Sequence, residues 1–440
     1  MLKRKISKKI EEYLKSDSNK MLIVDGARQI GKSYIIRYVG RKLFENYIEI
    51  NMEDDKLNDR IFADANSVNK FYLALSSVAG EKMKDRQSTL VFIDEIQAYP
   101  HLFTLVKFLM QDRRFTYIAS GSLLGVTLRK TQSIPIGSIQ QIHMYPLDFE
   151  EFLWANNVGE MLIEEMQRCF VAKESLPEAI HKKIMGLFRQ YLLVGGLPDA
   201  VNSFIAEHNI FNIRNIQNEV YELYLEDAAK YEADSNRKLK IQRIYKMIPS
   251  SLESRKKRIV VKDIEGKAGK RSSDYQDEFD YLVSSGIALE VDAISQPTFP
   301  LIQNAGKNLL KLYVNDIGIF TGILYHNNIK PLLDDIRSIN LGSVYETAVA
   351  QELKAHGHEL FYYDSKKNGE VDYLINNYES LSAIPLEVKS GKDYTVHSAL
   401  DRLLSVEDYA VKRAYVLSNE GNVSEKNGVT YMPVYNVMFF

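Results

Sequence analysis

Gly26-Ala27-Arg28-Gln29-Ile30-Gly31-Lys32-Ser33 matches the pattern G-x-x-x-x-G-K-[ST] at every fixed position. Before it, Met21-Leu22-Ile23-Val24 is the short apolar run of a buried parallel strand. After it, Tyr34-Ile35-Ile36-Arg37-Tyr38-Val39 continues as a helix. Strand, glycine loop and helix form the setting of a phosphate-binding loop, or Walker A motif. Gly26 and Gly31 let the backbone curl so that successive N–H groups face phosphate oxygens. The helix starting near Lys32 adds the positive end of its dipole. Lys32 is placed for the β- and γ-phosphates, and the Ser33 hydroxyl for Mg²⁺.

Leu90-Val91-Phe92-Ile93-Asp94-Glu95 supplies the companion Walker B motif. Four apolar residues again mark a buried strand, ending in carboxylates at the edge where open α/β sheets bind ligands. Asp94 is expected to hold Mg²⁺ through water. Glu95, read as the next residue of the strand, points the other way and is placed to deprotonate an attacking water. The pair favours ATP hydrolysis over transfer to another acceptor. Thr116-Tyr117-Ile118-Ala119-Ser120-Gly121-Ser122 is a third buried strand. Ser120 or Ser122 is a candidate for sensing the γ-phosphate.

The chain has 440 residues, enough for about two to four domains. Its 56 basic and 58 acidic residues nearly cancel, so no global field draws it to nucleic acid or membrane. The single cysteine, Cys169, excludes an internal disulfide and a cysteine-rich zinc site and reads as inertly buried. No secretory signal and no run long enough to span a bilayer is present, so the expected location is cytoplasmic. His101, His143, His397 and the His356/His358 pair lack the partners of a metal site.

Residues 3–16 read as a basic amphipathic helix, 47–51 as a strand, and 67–84 and 100–110 as helices. Residues 124–139 read as a loop, in which Arg129 is either a surface arginine or an arginine finger acting in cis or on a neighbouring copy. Asp148, with Glu151 three residues on, fits a helix capping box. The turn at Gly195-Gly196-Leu197-Pro198 interrupts a helical region that resumes over 209–231.

Five features occur in order: the phosphate loop, Phe-Ile-Asp-Glu-Ile-Gln at 92–97, Ala-Ser-Gly-Ser at 119–122, Pro-Leu-Asp-Phe-Glu-Glu-Phe at 146–152 and Gly-Gly-Leu-Pro at 195–198. Together they resemble the bacterial and archaeal AAA+ type P-loop ATPases that carry a C-terminal domain of unknown function. The resemblance covers nearly the whole chain. It implies an α/β protein with an ATPase core (1–145), a helical lid (146–236), a winged-helix region (237–330) and a restriction-endonuclease-like terminal domain (331–440). One departure is that Gly137 is followed by Ser138, where the family usually has an arginine.

Within 237–330, helices are expected over 240–251, 260–268 and 272–284, the last capped by Ser272 or Ser273. Strands over 287–291 and 309–314 would form the wing. Arg255, Lys256, Lys257, Arg258, Lys262, Lys267, Lys270 and Arg271 form a local basic patch for DNA phosphates. Asp274, Asp277, Glu278 and Asp280 make the third helix a poor groove reader, which favours a protein partner or weak backbone contact.

In the last hundred residues, Glu346 lies on a helix, Asp372 on a strand, and Glu387 and Lys389 two apart on the next. The set looks like the PD-(D/E)xK nuclease arrangement. That resemblance implies Mg²⁺ or Mn²⁺ on Glu346, Asp372 and Glu387, with Lys389 stabilising developing negative charge. Two readings follow. One is an ATPase whose nucleotide state gates a terminal nuclease in DNA processing or defence. The other is an ATP-driven switch whose terminal regions bind a partner without cleavage. Self-assembly is left open by both.

Overall fold

The computed structural model describes residues 2–122, 136–230, 234–266, 269–333, 340–391 and 393–440. They fall into two compact units, Lys3–Tyr145 with Ser284–Gly286, and Pro146–Val283 with Ile287–Phe440. Arg129 and Lys267 lie outside the described residues.

The first unit is built on five parallel strands: β1 (Met21–Asp25), β2 (Asn46–Asn51), β3 (Thr89–Asp94), β4 (Thr116–Gly121) and β5 (Ile139–His143), in the order β2-β3-β4-β1-β5. β1 and β3 are buried along their whole length, which is why both read as unbroken apolar runs. Met21, Ile23, Val91, Ile93, Tyr117 and Ala119 enter one core, two apart on each strand. The helix Ile6–Lys15 buries Ile6, Ile10, Tyr13 and Leu14, a single stripe at helical spacing. β4 lies between β1 and β3, with Val24 opposite Ser120 and Ile93 opposite Ala119. That insertion brings the ends of three strands side by side.

Two elements of this unit were not expected from the sequence. The helix Met52–Leu57 follows β2 directly because the Asn51 side chain caps it, accepting from Glu53 N at 3.0 Å and Asp54 N at 2.9 Å. β5 carries Gln140 and Gln141 and stays partly exposed, so it has no apolar signature.

The second unit begins with helices, among them Phe149–Ala155, Glu178–Val194, Pro198–Glu207, Ile210–Lys230 and Ser235–Glu253. The Asp148 capping box forms as expected, with Glu151 N donating to Asp148 Oδ1 at 2.9 Å. At the glycine turn, Gly195 has φ +72°, and a Cβ there would stand 2.3 Å from Asp316 Oδ1. Asp316 is fully buried; it accepts from Gly196 N at 2.7 Å and from Ile319 N at 3.0 Å, capping the helix Ile317–Tyr325.

The rest of this unit is an eight-stranded mixed sheet. Its strands are β6 (Ala288–Ile294), β7 (Ala305–Val314), β8 (Phe361–Ser365), β9 (Gly369–Asn377), β10 (Ser382–Val388), β11 (Ala414–Ser418), β12 (Ser424–Lys426) and β13 (Val429–Pro433), in the order β12-β13-β11-β10-β9-β8-β6-β7. β6 and β7, expected as wing strands, are therefore not a separate hairpin. β6 pairs in parallel with β8, Asp292 opposite Phe361 and Ala293 opposite Tyr362, across the expected boundary at 330. The helix Gly342–Ala355 has every residue from Ser343 to Leu353 buried. The third helix of the 237–330 region starts as a 3₁₀ turn at Ser272–Tyr275 with Arg271 at its N-cap, whose N donates to Asp274 Oδ2 at 3.0 Å. Among the described residues, no helix is long and apolar enough to cross a membrane.

Candidate functional site

The phosphate loop leaves β1 through Gly26, with φ +137°, and enters the helix Lys32–Leu43 through Gly31, with φ +92°. Both values lie where side chains other than hydrogen are strained. A Cβ on Gly26 would also sit 2.3 Å from Met144 O. The loop is braced from outside by Arg4, whose guanidinium donates to Ile30 O at 3.0 Å and Tyr145 O at 2.7 Å.

Lys32 is buried, and its Nζ donates to Gly26 O at 3.0 Å and Ala27 O at 2.7 Å. Burial pushes its ammonium below the usual lysine range, against the pull of Glu95, Asp94 and Asp25. Ser33 Oγ donates to Asp94 Oδ1 at 2.9 Å, so a hydroxyl and a carboxylate stand together at the loop. Ser120 Oγ donates to the same oxygen, and Asn51 Nδ2 reaches Asp94 Oδ2 at 3.4 Å. Burial raises the Asp94 carboxyl, against these hydroxyl donors.

Glu95 departs from the expectation of a strand residue. β3 ends at Asp94, and Glu95 adopts the left-handed conformation, φ +52°. The turn carries its carboxylate to Ser122, whose Oγ donates to Oε2 at 2.9 Å and whose N donates at 3.3 Å. Gln97 Nε2 donates to the same oxygen. Burial works to raise the Glu95 carboxyl, but Lys32, Gln97 and Ser122 outweigh it and keep it charged. Arg28 ties the loop to the helix after β2 through Glu53, at 2.9 Å, and touches Ser122 Oγ at 3.4 Å. Lys32, Ser33, Asp94, Glu95 and Ser120 are thus brought together. Sequence reasoning missed Asn51, Gln97 and Arg4. Gln97 sits in the quoted run at 92–97, whereas Arg4 has no local signal.

The terminal residues also converge. Glu346 and Glu387 are buried, and Asp372 lies on β9 beside β10. Lys257 Nζ donates to Glu346 Oε1, Lys389 Nζ to Glu387 Oε1 at 2.8 Å, and Val388 N to Asp372 Oδ2 at 2.8 Å. Burial, then the Asp372 charge, pushes both Glu346 and Glu387 well above the ordinary carboxylate range. Among the described residues, no group of three His, Cys, Asp or Glu side chains is arranged to hold a metal as it stands. The donor set still suits a hard cation, since all three are carboxylates and Glu387 Oε2 is buried without a hydrogen-bond partner.

The expected basic patch divides. Lys257 turns inward to the buried Glu346, which needs a counter-charge, and Arg258 turns to the half-buried Asp364 at 3.1 Å and Glu370 at 3.7 Å. Arg255, Lys256, Lys262, Lys270 and Arg271 remain exposed. Cys169 is buried, and burial raises its thiol.

Residues 18–153 match the model of an AAA domain, and residues 185–329 and 341–437 match two domains of unknown function, DUF8612 and DUF4143. The chain is similar to the solved Walker-type ATPase of Pyrococcus abyssi, at 14% identity over 73% of this chain and 95% of that one, with a TM-score of 0.44. It is also similar to the RuvB Holliday junction branch migration motor of Thermotoga maritima, at 13% identity over 65% of this chain and 89% of that one, with a TM-score of 0.29. No curated protein matches the chain. The AAA-domain match falls on the first unit and its phosphate loop, apart from its last eight residues, 146–153.

Proposed function

We propose that this chain is a cytoplasmic, Mg²⁺-dependent ATPase whose nucleotide state gates a nuclease-like terminal site acting in DNA processing or defence. The observation that carries the ATPase reading is the meeting of Lys32, Ser33, Asp94, Glu95 and Ser120 at one edge of the sheet. Bound ATP would take the backbone N–H groups of Gly26–Ser33, and Lys32 would exchange the Gly26 and Ala27 carbonyls for β- and γ-phosphate oxygens. Ser33 Oγ and Asp94 would hold Mg²⁺, which supplies charge neutralisation at the phosphates. Glu95 Oε2, kept ionised by Lys32, Ser122 and Gln97, would accept the proton of the attacking water. Ser120, whose hydroxyl donates to Asp94, would register the γ-phosphate.

In the terminal unit, Glu346, Asp372 and Glu387 would hold Mg²⁺ or Mn²⁺, which polarises a phosphodiester. Lys389 Nζ, at the rim of Glu387, would stabilise negative charge developing on the phosphate. The exposed cations at 255, 256, 262, 270 and 271 would meet a nucleic-acid backbone or an acidic protein partner.

A second reading rests on the ion pairs Lys257–Glu346 and Lys389–Glu387. They also describe a salt-bridged sheet face, so the chain would be an ATP-driven switch that captures a partner without cleaving it.

The ATPase test compares phosphate release by wild type, Lys32→Ala and Glu95→Gln. Hydrolysis should vanish in the first variant and fall about 10²–10⁴-fold in the second, which should still bind ATP. Unchanged hydrolysis in both would remove these roles. The terminal site is tested on plasmid and single-stranded DNA with Mg²⁺ or Mn²⁺, with and without ATP, in wild type, Asp372→Ala and Lys32→Ala. Cleavage lost in Asp372→Ala supports the nuclease, and ATP-dependent partner capture that survives Asp372→Ala supports the switch.

A further inference from the structure

The carboxylates Glu346, Asp372 and Glu387 are served by two lysines of different origin. Lys389 follows β10 directly and pairs with Glu387 at 2.8 Å. Lys257 arrives from elsewhere, out of the turn between the helices Ser235–Glu253 and Val261–Glu265, and donates to Glu346 Oε1. Asp372 and Glu370 add to the field around its ammonium.

The turn that delivers Lys257 is strained and short. Lys257 has φ +49°, a left-handed conformation that a β-carbon disfavours. Its neighbours Arg255 and Lys256 are exposed, and Arg258 anchors the far side of the turn on Asp364. A side chain held at that cost keeps its place through what it touches, and what it touches is the buried Glu346 carboxylate.

Charge counting gives the contact a direction. Deprotonated, as metal ligands must be, the three carboxylates face Lys257 and Lys389 with one negative charge in excess, Lys311 being matched by Glu370, and Glu387 Oε2 has no hydrogen-bond partner. A divalent cation added to both lysines would overcharge the cluster by one. A divalent cation replacing Lys257 would balance it. In a buried, weakly screened site the balanced state is favoured.

We propose that Lys257 is a built-in cation that competes with a divalent metal for the Glu346–Asp372–Glu387 cluster, so that the ion enters only as Lys257 withdraws. The proposal rests on the metal-binding reading of this cluster given above.

The test is Mn²⁺ binding to the full-length, nucleotide-free chain, followed by the paramagnetic resonance signal of free Mn²⁺. Wild type, Asp372→Ala, Lys257→Ala, Lys257→Arg and the double variant Lys257→Ala/Asp372→Ala are compared, with Lys257→Met replacing the alanine if that variant fails to fold. Lys257→Ala should bind one Mn²⁺ about tenfold or more tighter than wild type. Lys257→Arg, which keeps the cation, should stay as weak as wild type, and the double variant should lose the ion. Equal affinity in wild type and Lys257→Ala, both lost on Asp372→Ala, overturns the role of Lys257 and leaves the metal site standing. Absence of any Asp372-dependent ion in every variant overturns both.

Discussion

Replacing Gly26 by alanine isolates the demand that the phosphate loop makes on its backbone. The added Cβ would stand 2.3 Å from Met144 O and 2.8 Å from Ile30 Cδ1. A relaxed carbon–oxygen contact is about 3.3 Å, so roughly 1 Å must be found. Ile30 can rotate away, but the Met144 backbone is pinned by its N–H, which donates to Asp25 O at 2.8 Å. The loop itself must therefore move. A φ of +137° adds backbone strain of about 1–3 kcal/mol for any residue with a β-carbon. Overpacking adds about 1–3 kcal/mol. The combined loss of about 2–6 kcal/mol is a large share of a domain's stability of about 5–15 kcal/mol. At about 2–4 °C per kcal/mol, melting should fall by about 4–24 °C, and ATP affinity should fall because the N–H groups no longer converge. Gly80→Ala is the matched control, since Gly80 also has positive φ, +54°, but nothing lies within 4 Å of its Cβ. With φ +54° and ψ −130° it should cost about 1–3 kcal/mol through the backbone alone, without the overpacking. Calorimetric melting and titration with a fluorescent ATP analogue read both effects. If Gly26→Ala melts no lower than Gly80→Ala and binds the analogue normally, the loop is not built as described.

Ser120→Ala removes a hydroxyl that donates to the buried Asp94 carboxylate. A bond to a charged group contributes about 1.5–3 kcal/mol, so phosphate release should slow by about 10–100-fold, and a fall under about threefold would take Ser120 out of the site. Asp316 gives a pH signature. Burial pushes its carboxyl up to about 6, against backbone N–H donors from Gly196, Ile319 and Gly318. The folded chain then holds this proton more tightly than the unfolded chain, so the contribution is fully present below about pH 4 and is lost as pH rises through about 6. Between pH 4.5 and 7.5 it amounts to about 2 kcal/mol. Urea unfolding of wild type should lose about that much more over this interval than Asp316→Asn; equal losses would contradict the assignment.

The parts of the site that sequence revealed are those where chemistry fixes residue type and spacing together. Gly26, Gly31, Lys32 and Ser33 cannot be exchanged without losing a φ value, a charge or a hydroxyl, and Asp94 is announced by the apolar strand it ends. The turn at Glu95 was not legible, because a left-handed residue after a strand leaves no mark in composition. The edge strand β5, with two glutamines, and the six-residue helix after β2 carried too little apolar pattern to register. In the run Arg255-Lys256-Lys257-Arg258 nothing local says which cations face inward. Their partners Glu346 and Asp364 lie far along the chain, and only folding brings them near.

The pairing of β6 with β8 has a bearing on how such chains can be recombined. The family matches stop at 329 and resume at 341, yet the hydrogen-bonded sheet runs without a break from one side of that gap to the other. Inheritance of the terminal segment as an interchangeable cassette would strand β8, leaving its outward N–H and C=O groups as an open edge ready to pair with any passing strand. Exchange between relatives must therefore carry Ala288–Val314 along with the terminal segment, or preserve the register that sets Asp292 to Ile294 against Phe361 to Tyr363.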